Sequence, residues 1–149
     1  MTPQQFSRLL KANQEAVKRL ISRVLPVKAG RMAKDHFSEN FKKGGFVDGG
    51  LHPWKPSKRI GKAKGAAGQY KTLLSGRNHL YSSIKYTPGN AKVTLTNDVP
   101  YAKVHNEGLR AGRGKGFKMP KRQFMGESKE LNRKVLRLIE DEIKKILNK

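Results

Sequence analysis

The chain contains no cysteine, which removes disulfide frameworks, thiolate metal sites and cysteine nucleophiles from consideration. Acids are scarce: 11 Asp and Glu stand against 33 Lys and Arg, a formal net charge of +22. Aromatic residues make up only 7%, with a single tryptophan. Apolar residues reach 36%, thin for a compact domain, but they cluster in periodic blocks, so disorder of the whole chain is not expected. No stretch approaches the roughly 20 apolar residues of a membrane span. Residues 1–10 are polar and mixed, unlike a signal peptide. These features predict a soluble cytoplasmic product with no membrane role. A length of 149 residues suits one domain over residues 1–149, able to bury roughly 70% of its unfolded surface without staples.

The positive charge admits three partner classes: nucleic acid, anionic lipid and acidic protein surfaces. Its distribution narrows the candidates. Between residues 42 and 71 the only acid is Asp48, and between residues 108 and 126 there is none. These segments are also rich in glycine, so residues 44–70 and 108–118 read as flexible basic loops.

Residues 4–24 carry Phe6, Leu9, Leu10, Val17, Leu20, Ile21 and Val24 at helical spacing, with Thr2 as N-cap and Pro3 at the first position. The basic positions Arg8, Lys11, Lys18, Arg19 and Arg23 suit a lipid surface, but a helix packed on the core is preferred. Pro26 ends or bends this helix. A second helical pattern over residues 27–43, with Met32, Ala33, Phe37 and Phe41 on one face, stops at Gly44, and the two read as segments of one long element. Residues 82–87 and 92–96 predict an antiparallel hairpin turning at Pro88, Gly89 and Asn90. A short helix is expected over residues 101–106, a third strand at Gln123, Phe124 and Met125, and a last helix over residues 127–148. The fold class is α+β: N-terminal helices, a small antiparallel β-sheet, and a long C-terminal helix packed on the sheet.

Catalytic and cofactor motifs fail one by one. His36, His52, His79 and His105 lack metal-pair spacing. Ser75 and Ser82 lack a nucleophile elbow. Gly112, Gly114 and Gly116 miss the dinucleotide fingerprint because Phe117 takes the third glycine's place, and Leu109 breaks a P-loop. No cofactor, metal or catalytic residue is assigned, and the protein reads as a non-enzyme. Non-specific nucleic-acid binding through the basic loops remains as an alternative.

Four fragments in order carry a resemblance: Trp54-Lys55-Pro56; Leu74-Ser75-Gly76 with Leu80 and Ser83-Ile84; Tyr101-Ala102 with His105 and Gly108; and Met119-Pro120 with Arg122, Phe124-Met125-Gly126. In this order they resemble the phage virion morphogenesis family of tail-completion proteins. The spacer between Gly76 and Leu80 is longer than the family's, and Lys121 replaces a common alanine.

The resemblance implies a structural role in tail completion or head–tail joining, by assembly of subunits into rings with other tail or neck proteins. It implies a virion component assembled in the bacterial host cytoplasm, with possible contact to DNA. Candidate partner-binding residues are Trp54, Tyr101, His105, Arg110, Arg113, Lys115, Lys118, Arg122 and Phe124. For Tyr101, His105 and Phe124 two readings stand, packing inside one subunit or contact across subunits.

Overall fold

The structure, a computed structural model, describes residues 2–62 and 65–148; part of the glycine-rich segment 58–68 therefore lies outside the described residues. Helix α1 (Pro3–Arg19) opens with a reciprocal cap in which Thr2 Oγ1 accepts from the Gln5 N–H and the Gln5 side chain accepts from the Thr2 N–H. It passes through a π-helical turn (Leu20–Val24) directly into α2 (Leu25–Lys43).

Pro26 is the reason for that turn. A proline inside a regular helix has no N–H for the carbonyl four residues back and clashes with it. That carbonyl belongs to Ser22. The widened turn makes room, and the orphaned Ser22 oxygen accepts instead from the Ala91 N–H of a distant hairpin at 3.2 Å. The proline thus neither ends nor breaks the rod. It sits at the start of α2 and creates a docking point.

Helix α2 stops at Gly44, which is left-handed at φ +71 and donates to the Asn40 carbonyl. Strands β1 (Gly45–Val47) and β2 (Leu51–Pro53) then pair antiparallel, giving ladder structure to the start of a segment expected as irregular loop. A 3-10 turn (Gly65–Gly68) and a short helix α3 (His79–Ser82) follow. Strands β3 (Ile84–Gly89) and β4 (Lys92–Asn97) form the expected hairpin. The reversal falls at Asn90 and Ala91, with Ala91 at φ +55; Pro88 and Gly89 lie within β3, opposite Val93 and Lys92. A two-stranded ladder leaves one side of each strand unpaired, where a proline is tolerated. Helix α4 (Ala102–Glu107), the strand pair β5 (Arg110–Ala111) and β6 (Phe117–Lys118), and helix α5 (Lys129–Leu147) complete the order.

The chain is therefore α+β, with long terminal helices and, among the described residues, three separate two-stranded sheets. The last helix differs from expectation in placement: α5 packs on α2 and α1, while the β3–β4 hairpin packs on α2. The hairpin reaches α2 because Gly30 has no side chain. A Cβ there would lie 2.6 Å from both Tyr86 Cδ2 and Val93 Cγ2.

The core gathers around Phe41, which is fully buried. Trp54 and Tyr81 meet its ring edge-on, each at 5.6 Å between centroids, and Phe124 lies 5.3 Å away. Phe37, Phe46, Leu80, Ile84 and Val99 extend the cluster. By contrast, α1 buries none of its residues and meets the body through its last turns against α5; of the helix expected over residues 4–24, only Leu20 is buried. The continuous rod spans about 60 Å and α5 about 28 Å at 1.5 Å per residue, so the first turns of α1 outrun the body. Phe6, Leu9 and Leu10 are left exposed there.

The expected third strand at residues 123–125 does not form. Its backbone groups are held by side chains instead: Asn106 Oδ1 accepts from the Phe124 and Met125 N–H groups at 2.9 and 3.0 Å. Asn40 Nδ2 donates to the Phe124 carbonyl at 2.9 Å, and Trp54 Nε1 to the Gln123 carbonyl at 2.8 Å.

Replacing Gly30 by valine drives branched carbons into Tyr86 and Val93. Gly30→Val is expected to lower unfolding free energy by about 2 kcal/mol or more, measured by urea denaturation, and to loosen amide protection in β3 and β4. An unchanged denaturation midpoint contradicts the close approach.

Candidate assembly site

The basic segment after α4 is a short hairpin on a fixed base. Helix α4 ends at Gly108, left-handed at φ +68, whose N–H donates to the Val104 carbonyl at 2.9 Å. A Cβ at Gly108 would also meet Lys121 at 2.9 Å, so glycine is required on two counts. Arg110 pairs with Lys118 and Ala111 with Phe117, and the Met119 N–H closes the base on the Leu109 carbonyl at 2.9 Å. Gly116, at φ +61, brings its Cα so near the Ala111 carbonyl that no side chain fits.

Arg110, Arg113, Lys115 and Lys118 are all exposed on this hairpin. Arg110 donates to the Lys115 carbonyl across the loop at 3.0 Å, and Phe117 is 55% exposed beside them. With no acid between residues 108 and 126, the tip presents only positive charge. That field attracts anionic surfaces at long range.

The other candidate residues lie inward. Trp54 and Phe124 pack on Phe41, and their polar and backbone atoms are taken up by their own chain. Arg122 is 7% exposed; its Nε donates to the Lys55 carbonyl at 2.8 Å and a terminal nitrogen to the Pro56 carbonyl at 3.4 Å. This ties the Trp54-Lys55-Pro56 fragment to the Met119–Gly126 fragment. Tyr101 is exposed, its ring edge-on to both His79 and His105. The structure thus brings Tyr101, His105 and Arg122 to one cleft, and sets the hairpin cations apart from it.

A second polar cluster escaped the sequence reading. Ser128 caps α5, accepting from the Leu131 N–H, and its hydroxyl donates to the Val47 carbonyl at 2.6 Å. With that hydrogen committed, His36 Nε2 must donate to Ser128 Oγ at 3.1 Å. His36 Nδ1 is then the acceptor for Lys134 Nζ, also at 3.1 Å. Asp48 Oδ1 accepts from the Lys129 N–H, and Glu130 accepts from the Gly49 and Gly50 N–H groups. Burial works against the Glu130 charge, but N–H bonds from Glu130, Gly49 and Gly50, with Arg133 nearby, outweigh it and hold the carboxyl below its ordinary 4.5. The sequence signal for this cluster is slight: a Ser before an apolar-periodic helix with an acid in its first turn. That acid is Glu130; Glu127 lies outside the helix.

Two histidines couple this architecture to pH. Burial, reinforced by Lys134 and Lys43, pushes the His36 imidazole below its ordinary 6.5. Burial and Arg122 do the same to His105. Both groups take a proton more readily in the unfolded chain. Stability is therefore complete above pH 6.5 and falls as the pH drops through and below that value. Glu130 and Glu142 hold values under 4.5, so their contributions fade only at lower pH. The melting temperature is expected to fall between pH 7.5 and 5.5 at fixed ionic strength, and a His36→Gln/His105→Gln variant to show a flatter profile. A wild-type profile that is level over this window contradicts the neutral-histidine geometry.

Among the described residues no three His, Asp or Glu side chains gather as a metal site, and no helix is long and apolar enough to cross a membrane. No curated protein and no solved structure matches the chain. The fragments seen in the sequence converge on Phe41 and its neighbours, and the match extends beyond them: the model of the phage virion morphogenesis family covers residues 4–144, nearly the whole chain, and the protein belongs to that family.

Proposed function

We propose that the protein acts in tail completion or head–tail joining, as a subunit that assembles with copies of itself into a ring and with other tail or neck proteins. Membership of a virion morphogenesis family supports a structural role in the virion. The observation that carries the finer reading is the hairpin over residues 109–119. It stands on a base fixed by backbone bonds and presents Arg110, Arg113, Lys115 and Lys118 without a neighbouring acid. In this reading residues 112–116 and parts of residues 44–70 are flexible arms that order against an acidic virion surface. Assembly takes place in the cytoplasm of the bacterial host, and the protein carries out no catalysis. A second reading, non-specific binding to DNA, is favoured by the same net charge of +22.

Charge reversal at the tip separates the two. Arg113 and Lys115 are exposed, so Arg113→Glu/Lys115→Glu leaves the melting temperature unchanged. In a phage lacking its own copy of the gene, the variant is expected to reduce complete tailed particles by about tenfold or more, as for a charged interface contact. Normal particle yield overturns the arm assignment. The wild-type protein is expected to bind duplex DNA more weakly than micromolar at physiological salt. Tighter binding, with log affinity falling steeply against log salt, transfers the function to DNA.

A further inference from the structure

Beside the hairpin base lies a cleft of about 220 Å³. We propose that it is a receptor for a carboxylate, the side chain of an Asp or Glu on a partner protein. The cleft is lined by Arg59, Arg122, His105 and Tyr101, with no Asp or Glu among the described residues of its wall. Arg122 is a buried cation whose contacts are the Lys55 and Pro56 carbonyls and Met119 Sδ. Arg59 likewise donates to the Tyr70, Lys71 and Leu74 carbonyls. For Arg122, carbonyl oxygens satisfy the donors but leave the full charge uncancelled, and burial disfavours that charge. His105 Nδ1 is buried with no hydrogen-bond partner, which a native structure rarely leaves unexplained. Thr72, 7% exposed, accepts at Oγ1 from the Ser57 N–H and keeps its own hydroxyl hydrogen to donate.

The dimensions and walls choose among anions. The volume is below the ~300–1,000 Å³ of small-molecule pockets, so there is room for a carboxylate on a short stem and not for a nucleotide. Leu74 and Leu80 supply apolar wall, which suits the methylenes of Asp or Glu better than a hydrated phosphodiester.

Sodium propionate, the isolated Glu side-chain group, is the probe. The His105 ring resonances are followed by NMR in the full-length protein, with sodium chloride at matched ionic strength as reference. Propionate is expected to shift them saturably, with a midpoint of about 1–20 mM, and to move the His105 titration to higher pH, since an anion favours imidazolium. His36, outside the cleft, is expected not to respond. Thr72→Val is expected to weaken the response about fivefold, and Arg122→Gln to abolish it. If Arg122→Gln does not fold, the wild-type titration and Thr72→Val still decide. No response beyond chloride, or a larger response to inorganic phosphate or to an oligothymidylate, overturns the proposal. The carboxylate's source, a virion protein, rests on the assembly reading, but the titration does not. Saturable propionate binding with normal particle yield from the hairpin variant refutes the arm alone; absent binding with lost yield refutes the cleft alone.

Discussion

The fold depends on the contacts that Phe41 makes on α2. Three segments with little regular structure of their own each send one aromatic ring to it: Trp54, Tyr81 and Phe124. A fully buried phenylalanine with three such partners is a site where truncation costs about 3–5 kcal/mol. Directness matters more than the sum. The segments around residues 53–57, 79–82 and 119–127 have no ladder linking them, so the rings fix their relative positions, and buried Asn40 and half-buried Asn106 hold the backbone of the last one.

A shortage of acids shapes how the polar interior is built. With 33 cations and 11 anions, most basic side chains have no carboxylate to meet. Ion pairs such as Lys85–Asp98 and Lys42–Glu39 lie at the surface, where solvent screens them and they add little to stability. Cations turn to backbone carbonyls, as half-buried Arg59, buried Arg122 and exposed Lys71 do, and neutral groups take over elsewhere. His36 serves as one such neutral linker between Ser128 and Lys134. A carbonyl fills a donor's geometry without cancelling its charge. The molecule therefore holds an unmet demand for anions, at the Arg122 cleft and over the 109–119 hairpin alike.

Those parts of the fold that show a period were legible in the sequence. The stripes of α2 and α5 and the alternation of Val93 and Leu95 in β4 needed only local rules. The four family fragments were legible for a related reason: each supplies a buried core side chain, a tight glycine or a buried clamp. What escaped notice was set by partners far along the chain. A proline breaks helices in isolation, yet here the Ser22 carbonyl that Pro26 orphans is satisfied by Ala91, 69 residues further along the chain. Phe124 has strand-like neighbours, but Asn106 and Asn40 claim its backbone first. The stripe of α1 has the same pattern as a core-facing helix, but its first turns reach past its neighbours, which leaves Phe6, Leu9 and Leu10 bare. Of the candidate residues, the hairpin cations stand exposed, whereas Trp54, Arg122 and Phe124 serve the core.

In the proposed assembly role, the geometry of the hairpin sets what docking costs.

 Ordering a backbone residue costs about 1–2 kcal/mol, so a wholly unstructured arm needs a large partner surface to offset its own immobilisation. Here the β5–β6 pairs, the Met119–Leu109 closure and the Arg110–Lys115 bond fix most of the segment in advance, so under the proposed assembly role any further ordering falls on the tip. Left-handed glycines at 112, 114 and 116 let the chain reverse within that span while Arg113 and Lys115 point outward. The cost of docking is thereby confined to the tip, and the charge that offsets it sits on the same few residues. The glycines of this stretch are therefore a constraint of the hairpin's shape, and Arg113 and Lys115 between them are the charge it presents.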